Sequence, residues 1–392
     1  MEIKKRIKKL IAQHYIEKAR RRKKTKSTIK VGFLVQVPQL WDKQEPLYRL
    51  MRSSHNFEPW LIILPEYDYT LGNFCEYGDE LSFFTDVCKK NCYIKARKDD
   101  GWENLSDYEF DYIFFQRPYD YYLPQQYNSE NIIRYTKICY IPYATPDRND
   151  NIIYPEEFFR NVYLGFMEDK HCSDYNNKLY SRKSFQRFHN IGYPPFERCL
   201  QLQSNAFNGK ILWTPRWSYD HVYGGSHFFE YNVRLTNFDW GGYRFIVRPH
   251  PMMWSNFIKE KLIDKETINH IKEEWNSKSI IIDTNIQIED TFNEVDILIS
   301  DKSSVILLFF LTGKPIVYCR FGNDNSVLFD TILPGLYVVD DWEGLNKTIS
   351  NLMNNIDPLK EIRNRIISQS FSHHKEATKS IMSMIETDFY NV

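Results

Sequence analysis

The chain repeats one pattern along most of its 392 residues: a short apolar run rich in β-branched side chains, then a helical stretch, then another apolar run. Apolar runs without polar alternation are typical of strands buried on both faces of a parallel sheet. In the first half these runs are IKVGFLVQV at 29–37, PWLIILPE at 59–66, DYIFFQRPY at 111–119 and ICYIPY at 138–143. The alternation predicts an α/β fold with a doubly wound parallel sheet.

The pattern fades between residues 171 and 209, which are rich in polar residues, and then restarts, so we predict a domain boundary near residue 200. The later runs are KILWTP at 210–215, YRFIVRPHP at 243–251, SIIIDT at 279–284, DILIS at 296–300, KPIVYC at 314–319 and LYVVD at 336–340. Helices are expected at 255–276, 286–294, 303–312 and 343–354, with a terminal helix at the end of the chain.

These patterns predict two domains, covering 27–200 and 201–370, and a C-terminal helix over 371–392. The length exceeds that of one ordinary domain, and the 42% apolar and 16% aromatic residues suffice for two cores. We expect the two Rossmann-like domains to face each other across a cleft. Ligands of open α/β sheets bind beyond the carboxyl ends of the strands, so polar residues that follow strands are the candidates for a site.

The first 26 residues form a separate, strongly basic arm, with twelve Lys or Arg against two Glu. Ile3, Ile7, Leu10, Ile11 and Tyr15 recur at helical spacing, surrounded by basic residues, which predicts a basic amphipathic helix. Such a helix can lie on an anionic membrane surface, the partner we expect. A helix docked on the body is the alternative. A nucleic-acid arm is disfavoured because the rest of the chain is acidic and shows no nucleic-acid module.

The sequence gives no sign of export or membrane insertion. Its seven cysteines have no paired zinc spacing, which favours reduced thiols in the cytoplasm. No signal peptide is recognisable, and the longest apolar stretch, 305–311, is far below the roughly 20 residues of a membrane span. We therefore expect a cytoplasmic protein, peripheral at the inner face of the plasma membrane.

A polar segment, Asp301-Lys302-Ser303-Ser304, interrupts two apolar runs directly after the predicted strand 296–300. One of the serines is well placed to cap the next helix, and a helix start with free amides attracts anions. Together with the lysine, the segment suits a phosphate or diphosphate, although capping alone would also explain the serines.

Two further strands end in residues that suit the same ligand. His250 lies between two prolines in RPHP (248–251), after Arg248, where it could donate to a phosphate oxygen or relay a proton. WTPRW (213–217) offers Thr214 and Arg216, unless the arginine only stacks on the neighbouring tryptophans. The glycines of YGGSHFF (223–229) are a weaker signal of a phosphate loop.

We expect no metal and no other cofactor. No Asp-x-Asp pair that could hold a divalent cation follows a strand, and Glu66-Tyr67-Asp68 is the nearest approach. The absence of a Walker sequence, of G-x-G-x-x-G and of a serine-hydrolase elbow argues against an NTPase, a dehydrogenase and a serine hydrolase. Together, the candidate residues after the three strands suit the stabilisation of a diphosphate leaving group by protein groups alone.

The order of four motifs resembles the CDP-glycerol glycerophosphotransferase family of teichoic-acid and capsule polymerases. The motifs are GYP (192–194), ILWTPRW (211–217), FIVRPHP (245–251) and DILISDKSSVILLFFLTGKPIVY (296–318), and the resemblance covers roughly residues 185–345. It implies a GT-B architecture, with His250, Ser303 and Ser304 at the phosphates of the donor and Arg216 and Arg248 nearby. It also implies that the terminal helix, 371–392, returns to the N-terminal domain.

The chain departs from the family pattern at two positions. The family has an HGTP segment in its N-terminal domain, whereas this chain has YATP at 143–146, with Tyr143 in place of the candidate base. Leu308 stands where an acidic residue often follows the serine pair. The catalytic base is therefore open among Tyr143, Asp147 and His189. QRPYD (116–120) and YIPYATP (140–146) resemble a capsule-cluster branch of the family.

Three functions follow from these observations. The leading hypothesis is transfer of glycerol phosphate or a related polyol phosphate from a CDP-activated donor to a polysaccharide or lipid-linked acceptor at the cell surface. The second is a GT-B glycosyltransferase that uses a nucleotide sugar in capsule or lipopolysaccharide synthesis. The third is a non-catalytic scaffold at the membrane.

Overall fold

The computed structural model describes residues 2–21, 27–68, 71–143, 155–202, 208–219, 225–285, 287–321 and 327–390. The chain divides into two compact units. The first contains the described residues up to 197 together with 376–390, and the second contains 198–375.

Both units are built on parallel sheets. The strands of the first unit are β1 (Ile29–Val35), β2 (Phe57–Ile63), β3 (Tyr67–Asp68), β4 (Asn73–Phe74), β5 (Tyr93–Lys95), β6 (Arg97–Lys98), β7 (Gly101–Trp102), β8 (Tyr112–Phe115), β9 (Lys137–Tyr140), β10 (Leu164–Phe166) and β11 (Phe188–His189). Those of the second unit are β12 (Lys210–Thr214), β13 (Arg244–Val247), β14 (Ile281–Ile282), β15 (Ile297–Ser300), β16 (Ile316–Cys319) and β17 (Tyr337–Val339).

The α-helices pack around these sheets. They are α1 (Glu2–Arg20), α2 (Glu45–Arg52), α3 (Asp79–Val87), α4 (Ser129–Ile132), α5 (Glu156–Phe159), α6 (Lys170–Tyr180), α7 (Pro194–Gln201), α8 (Phe228–Thr236), α9 (Met253–Lys259), α10 (Lys265–Ser277), α11 (Ile288–Glu294), α12 (Ser304–Phe310), α13 (Val327–Ile332), α14 (Trp342–Met353), α15 (Lys360–Ser370) and α16 (Ala377–Tyr390). Among the described residues no helix is long and apolar enough to cross a membrane.

The strand order of each main sheet reverses once. The seven-stranded sheet of the first unit runs β11-β10-β9-β8-β1-β2-β5, so its order reverses between β1 and β8. The six-stranded sheet of the second unit runs β14-β13-β12-β15-β16-β17 and reverses between β12 and β15. All pairings within these two sheets are parallel. Such a reversal leaves a crevice at the carboxyl ends of the two strands concerned, which is where open α/β sheets bind ligands.

These sheets confirm the prediction of two doubly wound α/β units. The central strands are fully buried, for example Val31, Phe33, Ile113 and Phe114 in the first unit, which explains why their sequences are continuously apolar. The expected helix over 255–276 is wrong in detail, because the structure has α9 and α10 there. Between them Lys261 adopts a positive φ of 58° and Asp264 caps the start of α10 through the amide of Thr267.

The N-terminal helix α1 packs on the first unit by one narrow face. Ala12, Ile16 and Ala19 are buried, and Glu17 pairs with Arg182 at 3.5 Å. Its apolar residues nearer the N-terminus remain in solvent: the exposed fractions are 76% for Ile3, 50% for Ile7, 58% for Leu10 and 48% for Ile11. The second half of the helix is therefore docked by buried residues. In the first half Lys5 and Lys8 pair with Glu156 and Glu130, at 3.1 and 3.6 Å, while the apolar residues stay exposed.

The C-terminal helix α16 is held to the rest of the first unit by a half-buried carboxylate. Asp388 accepts hydrogen bonds from the hydroxyls of Tyr112 and Tyr163, at 2.6 and 2.7 Å, and pairs with the ammonium of Lys137 at 2.6 Å. Lys137 is 2% exposed, and its charge also lies over both tyrosine rings. An unpaired buried ammonium lowers the free energy of unfolding, so the buried Lys137 needs the carboxylate of Asp388 as its partner.

Candidate functional site

The strand reversal of the second unit carries a pair of buried hydroxyls. Thr214 ends β12 and Ser300 ends β15, and the Thr214 hydroxyl donates to Ser300 Oγ at 2.7 Å. Their exposed fractions are 6% and 0%. Thr214, predicted as a donor-binding residue, therefore joins the two strand ends beneath the crevice.

Asp301, the next residue after Ser300, organises the loops above the crevice. Its carboxylate accepts from the backbone amide of Arg216 and the hydroxyl of Ser226, both at 2.9 Å, and from the amide of His227 at 3.4 Å. The side chain is fully buried. Burial raises its pKa, while these hydrogen bonds and the neighbouring His227 oppose the rise. The geometry favours a positioning role for Asp301 over the predicted direct contact with phosphate.

The following residues begin helix α12 as the sequence predicts. Ser303 is the N-cap, with extended backbone angles, and its hydroxyl accepts from the amide of Val305 at 3.2 Å. Ser303 is half-buried and Ser304 is exposed, so both can be reached from solvent. Lys302 is 9% exposed. Because α12 has only seven residues, charged side chains must supply much of any attraction for an anion.

His250, after the end of β13, is held as a neutral hydrogen-bond donor. The backbone amide of Met252 donates to its Nδ1 at 3.1 Å, which leaves the ring proton of the neutral form on Nε2. Burial and the nearby charge of Arg216 lower the pKa of His250 to about 4. At neutral pH the ring can therefore donate from Nε2 but does not carry a positive charge.

The two arginines of the predicted site differ in their surroundings. Arg216 donates its amide to Asp301 and its Nη1 to the carbonyl of Lys302, at 2.9 and 2.5 Å, which fixes the arginine beside the start of α12. Arg248 instead pairs with Asp283 at 2.6 Å and donates to the carbonyl of Asn285 at 2.8 Å. Arg216 is thus placed with His250 and the α12 start, whereas Arg248 joins the ends of β13 and β14.

Sequence reasoning missed the second role of the YGGSHFF segment. Its Ser226 and His227 hold Asp301, and the His227 ring donates from Nε2 to the carbonyl of Arg320 at 3.0 Å. Gly225 has a positive φ of 56°, and an added Cβ there would lie 2.1 Å from the ring of Phe321. This glycine is therefore required by close packing of the loop.

The lysine of the KP motif has a structural role. Lys314 is 8% exposed, and its ammonium donates to the carbonyls of Phe292 and Val295, at 2.9 and 2.7 Å. Burial lowers its pKa. These carbonyls lie at the end of α11, where the negative end of the helix dipole favours a cation.

Two of the predicted candidates for a catalytic base, Tyr143 and His189, lie in the first unit. Tyr143 is half-buried and shares a 3.0 Å hydrogen bond with the hydroxyl of Tyr119. Burial and this hydrogen bond raise the pKa of Tyr143, so it stays protonated at neutral pH and suits a hydrogen-bond donor better than a base. Burial lowers the pKa of His189, which keeps that ring neutral. Asp147 lies outside the described residues.

One group of potential metal ligands occurs among the described residues: Glu168, Asp169 and Cys172 in the first unit. The Cys172 thiol donates to Glu168 at 2.9 Å, and Asp169 caps α6 through the Cys172 amide, so hydrogen bonding accounts for the cluster. Asp68, in the Glu66-Tyr67-Asp68 stretch, accepts from the amide of Leu71 at 3.1 Å. The absence of a required metal stays a prediction.

Taken together, the second unit brings a neutral imidazole donor, a guanidinium and an open helix start to one sheet edge. These groups can stabilise negative charge that develops on a phosphate. They lie at a strand reversal, where open α/β sheets bind ligands. The chemistry that fits is stabilisation of the negative charge of a bound phosphate.

Comparisons with known proteins agree with this class. Residues 197–379 match the family model described as CDP-glycerol:poly(glycerophosphate) glycerophosphotransferase. No curated protein gives a significant sequence match.

Solved structures share the fold at low sequence identity. A variant of the wall teichoic acid polymerase TagF, soaked with CDPG, aligns with a TM-score of 0.56 and 14% identity over 100% of this chain and 99% of its own. UDP-GlcNAc 2-epimerase from Neisseria meningitidis, bound to UDP-GlcNAc, aligns with a TM-score of 0.61 and 10% identity over 92% of this chain and 100% of its own. A UDP-N-acetylglucosamine 2-epimerase from Listeria monocytogenes aligns with a TM-score of 0.59 and 13% identity over 93% of this chain and 98% of its own.

The fold is therefore GT-B-like, and the candidate site lies in its second Rossmann-like unit. The family match confirms the inferred resemblance; it covers all of 198–375 and contains three of the four motifs, since GYP at 192–194 lies just before it. Over residues 197–379 the chain is thus similar to the CDP-glycerol glycerophosphotransferase family, a family of transferases.

Proposed function

We propose that this transferase moves glycerol phosphate, or a related polyol phosphate, from a CDP-activated donor to a capsule-like or teichoic-acid-like polysaccharide acceptor. The observation that carries the proposal is the grouping of His250, Arg216 and the Ser303-capped helix start at the strand reversal of the second unit. That grouping falls inside the stretch that matches the family.

In the proposed reaction the donor diphosphate lies at this edge of the sheet. A hydroxyl of the acceptor attacks the phosphorus that carries the polyol, and a new P–O bond forms. The bond from that phosphorus to the bridging oxygen breaks, and CMP leaves with the electron pair. The Nε2–H of His250 and the charge of Arg216 stabilise the negative charge that grows on the phosphate oxygens.

The acceptor hydroxyl must lose its proton to a base. Asp147 and His189 remain the candidates for this base, because a carboxylate and a neutral imidazole can each take up a proton. Tyr143 instead fits a role as hydrogen-bond donor to the acceptor substrate or to the polyol phosphate. Since protein groups supply the charge stabilisation, we propose that no metal is needed. Turnover in excess EDTA should then equal turnover without it, and loss of turnover that added Mg²⁺ restores would contradict the proposal.

We also propose that the protein works at the inner face of the plasma membrane, with α1 as the contact. The basic residues around its exposed apolar residues suit an anionic lipid surface. A lipid-linked acceptor would be made available there.

The donor class is tested by released nucleotide. Full-length protein is incubated with CDP-glycerol, CDP-ribitol, and UDP-, GDP- and CMP-sugars, each with an acceptor extract from the source cells. Release of CMP from a CDP-polyol supports the proposal. Release of nucleotide only from a sugar donor would instead support the glycosyltransferase alternative, and binding of none of these donors in calorimetry would support the scaffold.

A further inference from the structure

A half-buried tryptophan lies beside the proposed phosphate-binding residues of the second unit. Trp217 follows the end of β12, and its ring centroid lies 6.3 Å from the ring centroid of His250. The guanidinium carbon of Arg216 lies 5.9 Å from the centroid of the same tryptophan ring. Trp217 is therefore within reach of a ligand that these two side chains hold.

The indole of Trp217 is anchored on the protein but not closely covered by its charged and aromatic neighbours. It packs against the apolar core of the second unit, and the Trp217 carbonyl accepts from Nδ2 of Asn256 at 3.5 Å. Among the described residues, Arg216 brings the nearest cation and His250 the nearest aromatic ring, and neither lies closer than 5.9 Å to the ring centroid. Groups stacked face to face approach to roughly 3.5–4 Å, so neither of these two is stacked on the indole.

The surface around His250 is partly apolar. Met252, whose amide orients the imidazole, is 52% exposed, and Trp217 also keeps part of its surface in solvent. Phosphate is bound by charges and hydrogen-bond donors, and apolar surface contributes nothing to that binding. These two side chains therefore indicate that the ligand bound here has a flat or apolar part next to its phosphates.

We propose that the indole of Trp217 stacks on the cytosine base of the donor, while His250 and Arg216 bind the phosphates. The inference deepens the proposed function and rests on it. The base is the one flat aromatic group of a CDP-polyol, because the ribose and the polyol are not planar and carry hydroxyls. Every base has a π-face that can stack on an aromatic side chain, and removing that side chain typically weakens binding by roughly 5- to 150-fold.

This contact gives the bound donor a direction along the edge of the sheet. Trp217 follows β12 and His250 follows β13, whereas β15 lies on the other side of β12. Stacking on Trp217 places the CMP part of the donor towards β13 and its polyol end towards β15. The Nε2–H of His250 then donates to the phosphate of the departing CMP, where negative charge grows as the bond breaks.

The alternative is that Trp217 only packs beside His250 and Arg216 and orients them. Kinetics distinguish the two roles. Loss of base stacking removes an interaction that the ground state and the transition state share, so it raises KM for the donor and leaves kcat unchanged. Loss of a group that orients His250 weakens charge stabilisation in the transition state and lowers kcat.

The experiment titrates the full-length protein with CDP in a calorimeter and measures kcat and KM with CDP-glycerol. Trp217→Leu should weaken CDP binding at least tenfold and raise KM by a similar factor, with kcat within threefold of the wild type. Trp217→Phe, which keeps an aromatic ring, should bind CDP within threefold of the wild type. The matched control is Trp240→Leu, because half-buried Trp240 stacks on Phe245 at 4.2 Å and lies before β13, at the amino end of the sheet. This variant should bind CDP within twofold of the wild type.

Unchanged CDP affinity in Trp217→Leu would overturn the inference, as would an equal loss in Trp217→Phe or in Trp240→Leu. A fall in kcat at unchanged KM would assign Trp217 the orienting role instead. Turnover of CDP-glycerol that does not depend on Trp217 refutes the stacking inference alone. Nucleotide release only from a sugar donor refutes the proposed function, whatever the Trp217 variants show.

Discussion

The backbone amide of Met252 donates a 3.1 Å hydrogen bond to Nδ1 of His250 and so fixes Nε2 as the nitrogen that carries the proton. The prolines on either side restrict the backbone of the histidine, and Met252 lies just before α9. One short segment thus determines both the direction and the tautomer of the imidazole. The proposed stabilisation of phosphate charge depends on this arrangement.

Replacing His250 with alanine should lower kcat with CDP-glycerol by about 100- to 1,000-fold, the usual cost of removing one donor to developing charge. His250→Gln should recover part of that loss, since its amide can donate from a similar position. The measurement is steady-state release of CMP. His270→Ala, at an exposed histidine of the same unit, is the control. Unchanged kcat in His250→Ala would remove the residue from the mechanism.

The pH dependence should show the lowered pKa of His250. An ordinary histidine titrates near pH 6.5, but the His250 pKa is lowered to about 4, so the ring of the free enzyme stays neutral from pH 8 down to about pH 5. Protonation below that range adds a proton at Nδ1 and breaks the bond from Met252. We therefore expect no loss of kcat/KM attributable to this residue near pH 6.5. A loss centred there in the wild type and absent in His250→Gln would contradict the assignment.

Gly225→Ala should destabilise the loop that holds Asp301. The new Cβ would lie 2.1 Å from the ring of Phe321, at a positive φ of 56°, so the loop or the ring must move. We expect the free energy of unfolding to fall by about 1–3 kcal/mol and the KM for the donor to rise. Gly242→Ala is the matched control, because its Cβ would meet no atom within 4 Å. Equal stability of the two variants would show that the loop is not tightly packed.

Asp388→Asn should loosen the C-terminal helix. The substitution leaves Lys137, which is 2% exposed, without its carboxylate, and such a loss costs about 3–5 kcal/mol of unfolding free energy. Chemical denaturation of the full chain measures it. Glu376→Gln is the control, since the exposed pair of Glu376 with Lys379 should contribute close to nothing. A similar, small change in the unfolding free energy of both variants would show that Asp388 does not stabilise the buried Lys137.

The exposed half of α1 allows a test of membrane contact that leaves its docked half intact. The double variant Ile7→Asp with Leu10→Asp should lose sedimentation with vesicles of phosphatidylglycerol, because it places negative charge on the apolar strip. Neutral phosphatidylcholine vesicles and the variant His14→Asp, at an exposed position of the same helix, are the controls. Undiminished binding of the double variant would refute the role of the strip.

Much of the fold was predictable because buried parallel strands have continuous apolar sequences. This signal located β1, β2, β8 and β9 and the strands of the second unit. It failed for β10 and β11, which have three and two residues, too few for any period to be recognised. It also failed for the break between α9 and α10, where a left-handed lysine ends one helix and an aspartate caps the next.

The candidate site was predictable where a motif follows a strand, as for Ser303 and His250. The role of Asp301 was not, because its partners Ser226 and His227 are about 75 residues away and are brought close only by the tertiary fold.

The most direct test of the central claim is a crystal structure of the full chain with CDP-glycerol. We predict that the donor diphosphate lies at the carboxyl ends of β12 and β15, with a phosphate oxygen within hydrogen-bond distance of His250 Nε2 and near Arg216 and the amides that begin α12. A diphosphate bound away from this edge of the second unit, with the His250 ring out of its reach, would contradict the account.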